Sequence, residues 1–227
     1  MSADSSSVLL YTASIAPLFD PERYAEAFRL ASRARQAKVE RLRLMPDRCR
    51  SLAAELLLHR ALRDWGVQPP YEPEQAPGGK PQLPGGPKFS LSHSGDYALC
   101  AVSEANVGCD IEQIHPVRHA LAERFFCPEE AAEIAAAGSE EARTLRFFRL
   151  WTLKESYEKA IGLGLGLPMN AFRLQLEPAP ALVFSPESAD FAFQEFSQLP
   201  DYCCSLAVQL EHPVSELTVL TVEQLLT

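Results

Sequence analysis

The chain has 227 residues, of which 47% are apolar and 22% charged, and its formal net charge is −9. This balance is typical of a globular protein with one large or two small domains, and the negative charge argues against non-specific binding to nucleic acid or to an anionic membrane. No apolar run approaches the roughly 18 residues of a membrane span, and the polar residues 1–7 lack the features of a signal peptide. We therefore expect a cytoplasmic protein without a membrane or nucleic-acid partner.

The first half of the chain mixes strands and helices. Its predicted elements are a strand at residues 8–15, helices at 21–39 and 47–65, an extended loop at 68–88, and strands at 89–91 and 97–103. Asp47 is a suitable N-cap for the second helix and Gly66 a suitable end. Seven prolines and four glycines in the loop argue against regular structure there.

The second half repeats this mixture. Its predicted elements are a strand at residues 107–113, helices at 119–126, 128–137 and 139–161, and strand-like runs at 171–176, 191–196, 202–210 and 217–222. The last four runs are predicted to form an antiparallel meander. The sequence thus predicts two α+β halves of similar size, with the division near residues 103–106.

Positive charge is concentrated in one stretch of this acidic chain. Residues 29–50 contain eight basic residues and two acidic ones. Such a stretch is suited to bind a compact anion such as the phosphates of a nucleotide-like substrate, although two solvated helix faces would have the same composition.

The strand at residues 107–113 presents an acidic face. Side chains alternate along a strand, so Asp110 and Glu112 share one face with Gly108, while the other face is apolar. On the helix at residues 139–161, Glu155 and Lys159 continue an otherwise largely apolar stripe.

Together these segments supply three carboxylates and two ammonium groups, those of Asp110, Glu112, Glu155, Lys154 and Lys159. Carboxylate oxygens suit magnesium, which also bridges phosphate oxygens in phosphoryl-type transfer. Each segment alone also fits an ordinary role, because acidic edge strands are usually solvated and a glutamate–lysine pair one turn apart is a common surface ion pair. Only the combination indicates a site.

A second group of residues in the first half is suited to anions. His93 lies between two serines and a glycine in a predicted tight turn, where backbone N–H groups and the imidazole can receive an anion. Lys80 and the basic stretch at residues 29–50 add cations in the same half. A lone histidine in a turn is also commonly structural.

Five motifs occur in the order found in a known family. They are GKP at residues 79–81, FSLSHSG at 89–95, VGCDIE at 107–112, RFF at 124–126 with EE at 129–130, and WTLKES at 151–156 with Lys159 and GLG at 162–164. In these motifs the chain resembles the 4′-phosphopantetheinyl transferases of the two-lobed surfactin-synthetase-activating type.

The resemblance implies an α+β fold of two similar lobes related by a pseudo-twofold axis, each a small antiparallel sheet packed with helices. Coenzyme A would bind in the cleft between them. Residues 1–105 would form the N-terminal lobe, with the phosphate and nucleotide contacts, and residues 106–227 the C-terminal lobe, with the magnesium site and the catalytic helix. Members of the family transfer 4′-phosphopantetheine from coenzyme A to a serine of an apo acyl or peptidyl carrier protein and release adenosine 3′,5′-bisphosphate. They commonly act as monomers.

Site roles follow from the same resemblance. Asp110, Glu112 and Glu155 would hold Mg²⁺ on the pyrophosphate. Glu155 would also accept the serine proton, directly or through a water, and Lys159 would stabilise the pyrophosphate charge. Contacts to coenzyme A are expected from Arg35, Lys38, Arg50, Lys80, Ser92 and His93.

Two other functions remain open at this point. One is a different magnesium-dependent phosphotransferase or nucleotide hydrolase, although the chain has no P-loop and no kinase-type glycine motif. The other is a catalytically silent module that binds coenzyme A or a carrier protein. Carrier proteins of this family are usually acidic, as this chain is, so recognition is expected from local basic and apolar surface around Phe125 and Phe126.

Overall fold

The computed structural model describes residues 8–76, 79–118, 120–163, 166–187, 190–209 and 216–227. Residues 1–7, His119 at the start of a predicted helix, Gly164 in the GLG motif and Leu210 at the end of a predicted strand lie outside these ranges.

Helices dominate one side of the first half. They are α1 (Pro21–Leu30), α2 (Arg33–Arg41) and α3 (Met45–Trp65). The single helix predicted at residues 21–39 is therefore wrong, because the chain turns between α1 and α2. Ser32 accepts a hydrogen bond from the backbone N–H of Arg35 as the N-cap of α2, and its own N–H and hydroxyl donate to Glu55 of α3.

Helix α3 carries the apolar face that covers the first sheet. It begins at Met45, two residues before the predicted N-cap Asp47, which instead lies in the first turn with Pro46. Gly66 ends the helix in the left-handed region, with φ 95°, where glycine has no steric penalty. The predicted end of this helix is confirmed.

Four strands form the first sheet. They are β1 (Leu9–Ser14), β4 (Lys88–Ser94), β5 (Tyr97–Ser103) and β11 (Leu217–Leu220), in the order β11-β1-β5-β4. A short hairpin, β2 (Glu74–Gln75) with β3 (Pro81–Gln82), interrupts the loop predicted at residues 68–88. Strand β11 pairs with β1 in parallel, so the predicted antiparallel meander is wrong for its last strand.

The second sheet belongs to the second half of the chain. It contains β6 (Val107–Gln113), β9 (Ala192–Phe196) and β10 (Tyr202–Val208), in the antiparallel order β6-β10-β9. The hairpin of β7 (Arg173–Gln175) with β8 (Ala181–Phe184) is separate. The predicted meander is therefore wrong for its first strand as well, and among the described strands only β9 and β10 pair with each other as predicted. The helices of this half are α4 (Ala120–Phe125), α5 (Pro128–Ala135) and α6 (Glu140–Ile161), and a short α7 (Val222–Leu225) follows β11.

Helix α6 packs directly on β6 because a glycine faces it. A Cβ atom on Gly108 would lie 1.9 Å from the carbonyl oxygen of Ser156 and 2.5 Å from the backbone nitrogen of Ala160. The absence of a side chain at residue 108 therefore brings the helix close to the strand face that carries Asp110 and Glu112.

The two halves meet along β4 and β6. Three alternate residues of β4, Ser90, Ser92 and Ser94, reach β6 through hydroxyl hydrogen bonds, and Ser90 accepts from the backbone N–H of Cys109 at 3.1 Å. Behind this seam, one buried apolar cluster includes residues of both sheets, namely Leu10, Leu99, Ile111 and Leu206 among others. The protein is an α+β fold in which two sheets with helices are joined by this seam and this core.

Each helix in the described ranges is too short or too polar to cross a bilayer.

Candidate active site

A cavity of about 860 Å³ opens where the two halves meet. Its walls come from α2 and β4 in the first half and from β6 and α6 in the second. The charged and polar side chains that line it are Arg35, Lys38, Lys80, Ser90, Ser92, His93, Asp110, Glu112, Glu155, Glu158 and Lys159. Every residue predicted for the site, except Arg50 and Lys154, is among them.

Asp110 is the most buried acid in the cavity, at 2% exposure. Its Oδ1 accepts hydrogen bonds from Lys159 Nζ at 2.6 Å and from the Ser92 hydroxyl at 2.6 Å. Its Oδ2 is buried and has no hydrogen-bond partner among the described residues. A buried carboxylate oxygen without a partner costs free energy, and a bound cation would remove that cost.

Glu112 lies two residues further along the same face of β6. Its Oε2 accepts a hydrogen bond from the Ser94 hydroxyl at 2.6 Å. Burial raises the pKa of Glu112, and the Ser94 hydrogen bond only partly opposes this shift. The nearby negative charges of Asp110 and Glu155 raise the pKa of Glu112 further.

Glu155 enters the cavity from α6, with its side chain 30% exposed. Burial raises the pKa of this carboxyl, Lys159 lowers it from 3.8 Å away, and Asp110 raises it; the net direction is upward. A raised pKa brings a carboxylate closer to the range in which it accepts a proton efficiently near neutral pH.

Lys159 contacts an acidic side chain of β6 and another of α6. Its Nζ contacts Asp110 at 2.6 Å, Ser92 at 3.2 Å and Glu155 at 3.8 Å. Burial alone would lower the pKa of Lys159, but Asp110 and Glu155 outweigh it and the net shift is upward. The ammonium group therefore stays charged throughout the physiological range.

The acidic residues have the chemistry of a magnesium site without its final geometry. Within the described ranges, no three histidine, cysteine or acidic side chains are close enough together to hold an ion. The oxygen ligands nevertheless suit Mg²⁺, the Oδ2 atom of Asp110 lacks a partner, and the repulsion among Asp110, Glu112 and Glu155 is of the kind that a divalent cation relieves. Binding would need rotation of side chains, because Lys159 now neutralises Asp110.

Cationic side chains from the first half also line the cavity. Arg35 and Lys38 of α2 line it, as does Lys80, whose Nζ donates to the carbonyl oxygen of Val107 at 2.8 Å. Burial lowers the pKa of Lys80 to about 8, with Lys88 contributing. Lys80 is therefore mostly charged at neutral pH and would gain further protonation beside a phosphate.

His93 lines the cavity from a strand. The predicted turn is confined to Gly95 and Asp96, because β4 continues to Ser94. The prediction that His93 lies in the turn is therefore wrong. Burial lowers the pKa of His93, and the cations Arg50, Lys159 and Lys38 add to the shift. The imidazole is thus mostly neutral at neutral pH and would contact an anion by N–H donation.

Arg50 is directed elsewhere. Its guanidinium donates to the carbonyl oxygen of Gly95 at 2.7 Å and pairs with Asp47. It supports the β4–β5 turn near His93 but is not part of the cavity wall. Its contact with a substrate phosphate stays a prediction.

Lys154, the second ammonium group predicted for the site, points away from the cavity although it lies on α6. It is fully buried against Glu130 at 2.9 Å and donates to the carbonyl oxygens of Met169 at 2.8 Å and Phe172 at 2.6 Å. The expectation that Lys154 and Lys159 serve one site is therefore wrong. Lys154 instead fixes the chain after α6 against α5.

Glu158 was not anticipated from the sequence. It lies one turn after Glu155 on α6 and lines both the main cavity and a smaller one of about 320 Å³. Burial raises the pKa of Glu158 to about 7, and the charge of Glu155 adds to the shift. The available signal was its spacing of three residues from Glu155, which places both on neighbouring parts of one helix face.

The sequence of this chain is similar to those of known proteins. A sequence profile of the 4′-phosphopantetheinyl transferase superfamily matches residues 106–207. The chain is 32% identical over 199 residues to the 4′-phosphopantetheinyl transferase psf-1 of Bacillus pumilus, covering 85% of each protein. It is 33% identical over 154 residues to the 4′-phosphopantetheinyl transferase Sfp of Bacillus subtilis strain 168, covering 65% of this chain and 67% of that one.

Among solved structures, the holo-[acyl-carrier-protein] synthase of Thermotoga maritima superposes with a TM-score of 0.39 at 20% sequence identity. The superposition covers 46% of this chain and 62% of that one.

Proposed function

This chain belongs to the 4′-phosphopantetheinyl transferase superfamily, and on that premise we propose that it transfers 4′-phosphopantetheine from coenzyme A to a serine of an apo acyl or peptidyl carrier protein. The observation that carries the proposal is a cavity lined both by cations from the first half and by carboxylates from the second. Coenzyme A carries a pyrophosphate and a separate 3′-phosphate, which are anions that the cations of this cavity are suited to bind.

The reaction exchanges the phosphoanhydride bond of the pyrophosphate for a phosphodiester bond to serine. The serine oxygen of the carrier attacks the phosphorus that bears the pantetheine arm. The bond from that phosphorus to the bridging oxygen breaks, and adenosine 3′,5′-bisphosphate leaves with the electron pair. The serine proton must be removed as the new bond forms.

Glu155 is the proposed acceptor of that proton, directly or through a water. Its raised pKa and its place beside Asp110 and Lys159 support this role. Lys159, already charged and within 4 Å of both acids, is proposed to contact the pyrophosphate and stabilise its charge in the transition state.

Magnesium is proposed to bind to Asp110, Glu112 and Glu155. When bound, the ion offsets the charge of the pyrophosphate oxygens. Lys159 would then exchange its contact with Asp110 for one with the phosphates, which frees Asp110 to ligate. The hydroxyl groups of Ser92 and Ser94 orient the two strand carboxylates.

The nucleotide end of coenzyme A is assigned to the cations that the first half contributes to the cavity. Arg35, Lys38 and Lys80 are proposed to contact its phosphates together with Ser92 and His93. In this arrangement residues 1–105 supply the nucleotide contacts and residues 106–227 the catalytic centre. Because one chain supplies both walls, we infer that a monomer suffices, acting in the cytoplasm.

The carrier is proposed to dock beside the second, smaller cavity. That cavity shares Trp151, Glu155 and Glu158 with the main one, and Phe125 lies in its wall. A serine presented there would reach Glu155 from the side opposite the nucleotide.

The direct test is a panel of apo carrier proteins from fatty-acid, polyketide, nonribosomal-peptide and siderophore synthesis. Each is incubated with the protein, coenzyme A and Mg²⁺, and its intact mass is measured. We expect at least one carrier to gain one phosphopantetheine group, and its Ser→Ala variant to gain none. Coenzyme A binding without modification of any carrier would instead indicate a silent binding module.

A further inference from the structure

We propose that Glu55 is a positioning residue that holds the cations Arg35 and Lys38 in the orientation that binds the substrate's phosphates. The inference rests on the proposed function, because it takes coenzyme A as the ligand. Glu55 itself is outside the cavity wall.

Glu55 is a buried acid on α3, at 7% exposure. Its Oε2 accepts from the backbone N–H of Ser32 at 2.9 Å, and its Oε1 accepts from the Ser32 hydroxyl at 2.9 Å and lies 3.5 Å from Arg35 Nε. A carboxylate this far from water is unstable unless it is paired, so these contacts hold the start of α2 firmly to α3.

This anchoring determines where two cavity cations lie. Ser32 is the N-cap of α2, and Arg35 and Lys38 follow it on the first turns of that helix. Both line the cavity. Because the first turn is fixed at Ser32, the direction of α2 and hence the positions of both side chains are fixed as well.

The guanidinium of Arg35 is also held individually. Its Nη1 donates to the Ser51 hydroxyl at 3.1 Å, while Nε faces Glu55. Two contacts on different nitrogens fix the plane of the guanidinium. A side chain that is already fixed loses less conformational entropy when it binds a phosphate.

Glu55 also compensates a repulsion. Arg35 and Lys38 are like charges three residues apart on one helix, which is destabilising. Burial lowers the pKa of Lys38, Arg35 lowers it further, and Glu55 raises it. Glu55 is thus the negative charge that lets the two cations remain side by side without a ligand.

Positioning and simple electrostatics predict opposite effects for Glu55→Gln. If Glu55 acted only through its charge, its neutralisation would make the cavity more positive and coenzyme A would bind more tightly. If Glu55 positions the cations, loss of the charged pairing frees Arg35 and the start of α2, and binding weakens. The sign of the change therefore discriminates between the two.

The experiment measures adenosine 3′,5′-bisphosphate and coenzyme A binding by calorimetry without carrier, and KM and kcat in the transfer assay. For Glu55→Gln we expect the affinity for both ligands to fall about tenfold, as for loss of a charge-assisted contact. KM for coenzyme A should rise by the same factor, while kcat stays within about twofold of the unsubstituted value. Asp64→Asn is the matched control, since it also removes one negative charge from α3 but pairs with Arg60 on another face.

A double-mutant cycle with Arg35→Ala shows whether Glu55 acts through Arg35. We expect Glu55→Gln to weaken binding much less in the Arg35→Ala background. If Glu55→Gln does not fold, Glu55→Asp gives the same readout, with a smaller loss expected because the charge is kept and only the reach is shortened.

Unchanged or tighter binding in a folded Glu55 variant overturns the inference and leaves the proposed function intact. Equal losses in Asp64→Asn also overturn it. Failure of the unsubstituted protein to bind coenzyme A overturns the proposed function, and the inference with it.

Discussion

Glu155 has the most demanding role of any single residue in the proposed reaction. It is placed to bind the metal and also to serve the attacking hydroxyl, whereas Asp110 and Glu112 are assigned to the metal alone. The upward shift of its pKa, caused by burial and by Asp110 against the opposing effect of Lys159, suits proton transfer near neutral pH.

Glu155→Gln should reduce transfer by about a thousandfold, as expected for loss of a general base, while coenzyme A affinity falls much less. Single-turnover transfer and calorimetry measure the two effects separately. Glu141→Gln, an exposed change at the start of α6, is the control. Transfer by Glu155→Gln within tenfold of the unsubstituted rate would exclude Glu155 as the base.

His93→Ala should act on substrate binding. The neutral imidazole can offer one N–H to a phosphate, so its loss should raise KM for coenzyme A about fivefold to tenfold and leave kcat nearly unchanged. His115→Ala, outside the cavity wall, is the control. An unchanged KM in steady-state kinetics would assign His93 a structural role.

Glu158→Gln should change how stability depends on pH. The folded-state pKa of Glu158, about 7, lies above the ordinary value of 4.5 because of burial and Glu155. Glu158 therefore contributes a loss of stability as pH rises from about 4.5 to 7, and Glu158→Gln should remove that contribution.

We expect Glu158→Gln to be about 1–2 kcal/mol more stable than the unsubstituted protein at pH 8, allowing for partial solvent screening, and equal to it near pH 4. Urea unfolding at both pH values, without coenzyme A or metal, measures this. A stability difference independent of pH would contradict the shifted pKa.

At the level of elements, the site depends on how closely α6 approaches β6. Asp110 and Glu112 come from the strand and Glu155 and Lys159 from the helix, so their convergence needs a short distance between the two. Gly108 provides it, because any side chain there would overlap the helix backbone.

Gly108→Ala should therefore destabilise the protein by about 3 kcal/mol or more, since backbone atoms must move to admit the methyl group. Gly138→Ala is the control, because a Cβ there has no atom within 4 Å. Thermal unfolding compares them. Equal melting temperatures for the two variants would show that α6 is not tightly packed on β6.

Local patterns predicted the bounds of the elements that carry the proposed site. Strand β6 and the end of α6 at Gly162 are confirmed to the residue, because alternation and a C-terminal glycine are local signals. The break between α1 and α2 was missed, since Ser32 leaves the helix to bond Glu55, 23 residues away in sequence. No periodicity in residues 21–39 reports that contact.

The wrong prediction for Lys154 has the same cause, a tertiary contact that has no local signal in the sequence. In the sequence it is as close to Glu155 as any cation, and helical spacing alone does not say which partner it meets. Its partner Glu130 lies on α5, and the carbonyl groups of Met169 and Phe172 complete the buried pair. Side-chain direction was decided by tertiary packing, which the sequence pattern does not contain.

At the scale of the whole molecule, the two halves are less separate than the sequence indicates. Strand β11 returns to pair with β1 across more than 200 residues, and a long-range parallel pairing has no local signal. The serine hydroxyls of β4 then bind both the backbone and the acids of β6. The cavity lies at this seam, so both halves determine its shape.

The release of nucleotide, measured together with modification of the carrier, tests the proposed reaction most directly. The protein is incubated with coenzyme A and Mg²⁺, with and without an apo carrier that is a substrate, and both products are quantified by chromatography and intact mass. We predict one adenosine 3′,5′-bisphosphate for each carrier modified, and none when the carrier is omitted or its serine is replaced. Nucleotide release without a carrier would show a hydrolase and contradict the transferase.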